Sequence, residues 1–137
     1  ASHREKINQY VRMYLATNLD ANIGRRIRSR FNHAIKNETK SWSVMKLMGC
    51  SIEYFKLYFE GLFTKDMTWD KYMSGEIQID HRVPCSMFNL SNPKAQTICF
   101  HYTNMQPMWK SKNLQKNAKV KDRDIRFLKQ HKLLKVA

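Results

Sequence analysis

From residue 21 to 36 the apolar positions Ile23, Ile27, Phe31, Ala34 and Ile35 gather within about a third of a helix circumference when each residue advances about 100°. The pattern predicts an amphipathic helix with Asp20 as its N-cap. Arg25, Arg26, Arg28 and Arg30 fall outside the apolar arc, and no acidic residue balances them in this stretch. A solvated face is the plainer account of such residues, but unbalanced arginines this close together point to contact with phosphate. Further on, Ser43 opens a short capped helix that ends at Gly49. Ser51 caps another, in which Ile52, Phe55, Phe59, Leu62 and Phe63 keep helical spacing and read as core anchors. Ile77-Gln78-Ile79 alternates as a strand does, and Asn104 to Trp109 reads as a second strand, limited to an edge by Pro107. Between them residues 82–103 form a long connection, with a helical turn or two expected around Pro93 to Ile98. Residues 110–119 are polar and helix-permissive. A last docked helix is expected from Asp122, carrying Ile125, Leu128, Leu133 and Leu134.

Composition narrows the partners. In 137 residues, 25 Lys and Arg stand against 11 Asp and Glu, a formal net charge of +14, while 42% of residues are hydrophobic. There is enough apolar material for a core in one compact domain, and the positive field selects polyanions, of which nucleic acid is the commonest in a cell. No apolar run suggests a membrane span and no signal-peptide stretch opens the chain, so a soluble, intracellular protein is expected. Cys50, Cys85 and Cys99 form no C-x-x-C pair, and three cysteines exclude a four-cysteine zinc site. Cys85 and Cys99 flank the long connection and could approach each other, with two buried free thiols as the default reading.

The residues with chemistry to offer lie around the two strands. Asp80 and His81 end the first, Asn104 opens the second, and Asn113 follows nine residues later in the polar helix. A hard divalent cation such as Mg²⁺ takes a few oxygen ligands and keeps water and phosphate as the rest, which a carboxylate and an amide oxygen satisfy. Imidazole titrates near neutral pH and suits proton abstraction from water. An asparagine at 104 has the reach to tie the connecting loop. One Asp-His pair alone is weak evidence.

The order of the residues says more. Ile79-Asp80-His81-Arg82-Val83-Pro84, then Tyr102-Thr103-Asn104-Met105-Gln106-Pro107-Met108-Trp109, then Lys112-Asn113-Leu114-Gln115-Lys116 resembles the HNH endonuclease signature in its H-N-N form. Leu47 to Lys56 and Met67 to Tyr72 look like the helical lead-in of phage and bacterial members, so the likeness covers residues 40–119. It implies an α+β fold with a ββα-metal motif at 77–119 behind a helical lead-in at 41–76, to which the chain's own pattern adds a basic helical DNA-contacting region at 1–40 and a basic C-terminal helix at 120–137, all in one compact domain. It also implies that His81 is the general base, that Asp80 and Asn113 bind one metal, and that Asn104 orients the loop bearing His81. The reaction would be metal-dependent hydrolysis of DNA, by nicking or double-strand cleavage, to 5′-phosphate and 3′-hydroxyl ends.

The chain departs from the better-known pattern where Trp109 and Lys112 replace a zinc-binding cysteine pair, so no structural zinc is expected. Asn113 in place of a histidine favours Mg²⁺ or Mn²⁺. Lys110, Lys112, Lys116 and Lys119 on or beside the motif helix join Arg25, Arg26, Arg28 and Arg30 as candidate DNA contacts. Duplex DNA is the expected partner, bound by a monomer or a homodimer. A homing or phage-encoded nuclease fits this appearance. A non-catalytic nucleic-acid-binding module, and a nuclease for RNA or branched DNA, are the alternatives that the sequence leaves open.

Overall fold

The computed structural model describes residues 1–36, 40, 42–115 and 121–135. Two long helices come first. Helix α1 (His3–Thr17) opens on a capping box between Ser2 and Glu5 and buries no residue. Helix α2 (Leu19–Ile35) follows after Asn18, whose side chain accepts from the Ala21 amide. The cap is therefore Asn18 and not Asp20. Asp20 instead sits in the first turn, where a carboxylate favours the helix dipole, and pairs with Lys56 at 2.6 Å. The apolar arc of α2 is the one its periodicity predicts, with Ile23, Ile27, Phe31 and Ile35 buried.

Three short helices come next: α3 (Val44–Met48), α4 (Ile52–Gly61) and α5 (Trp69–Met73), capped by Ser43, Ser51 and Thr68. Gly49 ends α3 at φ 74°, and a Cβ there would lie 2.8 Å from Nε2 of His101, so both backbone and space require glycine. Phe55 and Phe59 of α4 stack at 5.1 Å, and Phe59 meets Trp69 and Tyr72 of α5. Phe55 and Phe59 are core, as their spacing implies, and Ile52 and Phe63 are half-buried against it, but Leu62 follows the end of α4 and is exposed.

Strand β1 (Ile77–His81) pairs antiparallel with β2 (Met105–Trp109), Ile79 facing Pro107, Asp80 facing Gln106 and His81 facing Met105. The connection holds a 3₁₀ turn at Cys85–Met87, helix α6 (Pro93–Cys99) and a second 3₁₀ turn at Tyr102–Asn104. Asn104 thus precedes β2 and does not belong to it. Helix α7 (Lys110–Gln115) leaves β2 without a break. Helix α8 (Asp122–Gln130) docks through Leu128, and the chain after it bridges Leu134 to Phe88. The architecture is α+β: helices around a small two-stranded antiparallel sheet. Phe31 of α2 stacks on Phe100 at 4.1 Å, and Phe100 meets the His81 ring edge-on at 6.2 Å. The core therefore reaches the end of β1.

Candidate functional site

Side chains alternate along a strand, so Gln78 and Asp80 share one face of β1, while Ile77, Ile79 and His81 share the other. On the first face the Asn113 amide nitrogen, from α7, donates to Oε1 of Gln78 at 3.0 Å. Across the ladder, Nε2 of Gln106 donates to Oδ2 of Asp80 at 2.9 Å. Asp80 and His81 are each only 6% exposed. The strand end nevertheless opens into a cleft of about 910 Å³ whose lining includes Asp80, His81 and Asn113.

Asn104 binds the loop that leaves His81. Its Oδ1 accepts from the Val83 amide at 2.9 Å, and its Nδ2 donates to the carbonyls of Val83 at 3.1 Å and Cys99 at 2.9 Å. The Arg82 amide donates to the Asn104 carbonyl at 2.8 Å. One asparagine thereby brackets the start of the connection against the end of α6. His101 caps the 3₁₀ turn, its ring accepting from the Thr103 amide and packing on Tyr102. It does not line the cleft.

Another part of the lining belongs to α2, through Ser29, Arg30 and His33, and to Lys36, the residue that follows its end. Lys135 reaches the same cleft because the chain after α8 is pinned to the loop, the Lys135 amide donating to the Met87 carbonyl and the Asn89 amide to the Leu133 carbonyl. The arginines of α2 separate into different roles. Arg30 lines the cleft, and Arg25 and Arg28 are exposed. Arg26 donates to the carbonyls of Tyr72 and Met73 at 2.7 and 3.1 Å, with its guanidinium 4.3 Å from the centre of the Tyr72 ring. It fastens α2 to α5. Lys110 and Lys112 are exposed on α7, while Lys116 and Lys119 lie outside the described residues.

Beside His81 lie two sulfurs. Cys99 donates to Cys85 at 3.3 Å, and the ligand atoms of His81, Cys85 and Cys99 all lie within 4.8 Å of one another. The Cys85 thiol is drawn down to about 5, first by the hydrogen bond from Cys99, against the upward push of burial, and further by His81 and the charge of Arg30. Cys99 moves the other way, raised by burial and by its donation to Cys85.

Sequence reasoning missed Gln78, Gln106, His33, Lys36 and Lys135. The two glutamines look like solvent-facing strand positions until the hairpin register sets Gln106 opposite Asp80. For Lys135 no sequence signal exists, since its place depends on a tertiary bridge.

No family model matches the chain, and no solved structure does. Curated relatives exist in Acanthamoeba polyphaga mimivirus. One uncharacterized protein is 33% identical over 100 residues, covering 72% of this chain and 42% of its own length. Another is 31% identical over 130 residues, covering 95% of this chain and 56% of its own. The chain spans about half the length of these relatives.

Proposed function

We propose that this chain is a metal-dependent endonuclease of the HNH type, built on a ββα-metal motif formed by β1, β2 and α7. The observation that carries the reading is the convergence of Asp80, His81 and Asn113 on one cleft, under a basic helix and with Asn104 bracing the loop between them. A carboxylate and an amide oxygen are hard donors that fit Mg²⁺ or Mn²⁺, and Asn113 has its nitrogen committed to Gln78, leaving the oxygen as its ligand atom. Asp80 and Asn113 would hold the ion, which supplies positive charge for the departing 3′ oxygen. Gln106 fixes the Asp80 carboxylate by donating to one oxygen. His81, at the cleft floor with its ring set by Phe100, takes the proton of the attacking water. Arg30, Lys36 and Lys135 surround the position of a phosphodiester and neutralise it. A pure binding module has no use for a carboxylate facing the phosphate backbone, and that favours catalysis over simple binding.

Nicking of supercoiled plasmid tests the proposal. Cleavage is expected with Mg²⁺, none with chelator, and a loss of at least about a hundredfold in His81→Ala. Unchanged cleavage by that variant would remove His81 from its role. Absence of cleavage on duplex, single strand, RNA and four-way junction alike, with DNA binding intact, would leave the binding module as the answer.

A further inference from the structure

We infer that His81, Cys85 and Cys99 form a second, soft-metal site that takes Zn²⁺, and that its occupation withdraws His81 from catalysis. The three ligand atoms come from three elements: the end of β1, the first 3₁₀ turn and the last residue of α6. Two sulfurs and an imidazole are the donor types that zinc prefers, and they reject Mg²⁺, whereas Asp80 and Asn113 offer only oxygen. A tetrahedral zinc with Zn–S near 2.3 Å sets its sulfurs about 3.8 Å apart. Here they are 3.3 Å apart, so entry of the ion asks for a separation of about half an ångström.

The site is braced before any metal arrives. Asn104 donates to the carbonyls of Val83 and Cys99 together, which holds the segment entering Cys85 against the segment ending in Cys99. Access comes from the cleft, which Cys85 and His81 both line while Cys99 sits fully buried behind them. The fourth position of a three-ligand zinc then faces that cleft and belongs to water. On binding, both sulfurs coordinate as thiolates, whatever proton the pair still holds between Cys99 and Cys85 passing to buffer, and the ion takes a nitrogen lone pair of His81. This is not the zinc staple of a four-cysteine site, since it shares a residue with the proposed catalytic set. Binding stands without the nuclease reading, and only the effect on turnover rests on it.

The test uses the reduced 137-residue chain in excess Mg²⁺, with Cd²⁺ as the spectroscopic probe and Zn²⁺ as the competitor. One Cd²⁺ per chain is expected, with an ultraviolet thiolate-to-metal charge-transfer band that Zn²⁺ abolishes. Cys85→Ser and Cys99→Ser should each lose most of the band, His81→Gln should weaken binding by about tenfold or more, and Cys50→Ser should change nothing. Because Cys99 is buried, a readout without variants accompanies these: Zn²⁺ should protect Cys85 of the unaltered chain from alkylation, read by mass spectrometry. Absence of uptake, uptake indifferent to His81→Gln, uptake carried by Cys50, or alkylation unaffected by Zn²⁺ would each overturn the site. If plasmid nicking occurs, Zn²⁺ should inhibit it and Cys85→Ser should blunt the inhibition. Zinc bound by a chain that cuts none of duplex, single strand, RNA or four-way junction under Mg²⁺ would retain the site and refute the nuclease reading.

Discussion

Asn104 commits both ends of its side-chain amide to the backbone around His81, and each end has a different substitution that isolates it. Asn104→Asp keeps the acceptor for Val83 but turns the donor toward two carbonyls into a second acceptor, while Asn104→Ala removes both functions. Either change leaves half-buried backbone groups without partners. A loss on the order of 2 kcal/mol in urea unfolding is expected, together with a fall in nicking that tracks neither metal nor DNA affinity. Tyr72 offers a separate check through pH. Burial raises its phenol from 10.0 to about 12, the Arg26 charge offsetting part of the push. The folded chain therefore keeps the proton at pH values where the unfolded chain has released it. Stability from this group is full below 10 and falls as pH rises toward 12, by on the order of 2 kcal/mol. Alkaline denaturation of Tyr72→Phe should show a shallower decline than the unaltered chain, and equal slopes would refute the assignment. The candidate site was legible in sequence because Asp80, His81, Asn104 and Asn113 form a short ordered pattern of residues with chemistry to offer. Gln106 was not, because its role exists only in the register of the hairpin.

At the scale of elements, α2 shows what periodicity conveys and what it omits. The spacing of Ile23, Ile27, Phe31 and Ile35 fixes the buried arc, and that arc is observed. The same spacing treats every residue outside it as solvent-facing, and so it grouped Arg26 with Arg25, Arg28 and Arg30. Arg26 lies about 60° outside the arc, yet its long side chain reaches the end of α5 and donates to two carbonyls. Arg26→Ala is accordingly expected to lower stability by on the order of 2 kcal/mol and to leave the salt dependence of DNA binding unchanged. Arg30→Ala should do the reverse, with a small change in unfolding midpoint and a clear loss of DNA affinity and turnover. Thermal unfolding and fluorescence anisotropy with a labelled duplex measure the two quantities. The start of α2 was misread for a similar reason: Asp20 and Asn18 both satisfy the chemistry of a cap, and the choice between them follows from where α1 stops.

For the whole molecule, a charge of +14 favours a polyanion as partner but does not say which surface would meet it. The fold offers one by bringing α2 to the same cleft as β1 and α7, and by returning the chain after α8 to the loop that follows His81. Arg30, Lys36 and Lys135, distant in sequence, thereby share one cleft with Asp80. If that cleft grips the duplex, each of these cations neutralises a phosphate and releases counterions on binding. The logarithm of the association constant should then fall linearly with the logarithm of salt concentration, and removing one contacting cation should reduce the slope by about 1. Lys36→Ala and Lys135→Ala should each show that reduction, and the pair together about twice it. A cation that merely adds to the general field shifts affinity with little change of slope, as expected for positions on α1 such as Arg4 and Arg12, which lie away from the cleft lining. Slopes that respond equally to Arg12→Ala and Lys135→Ala would mean that DNA meets the molecule diffusely, and that the cleft is not where the phosphodiester lies.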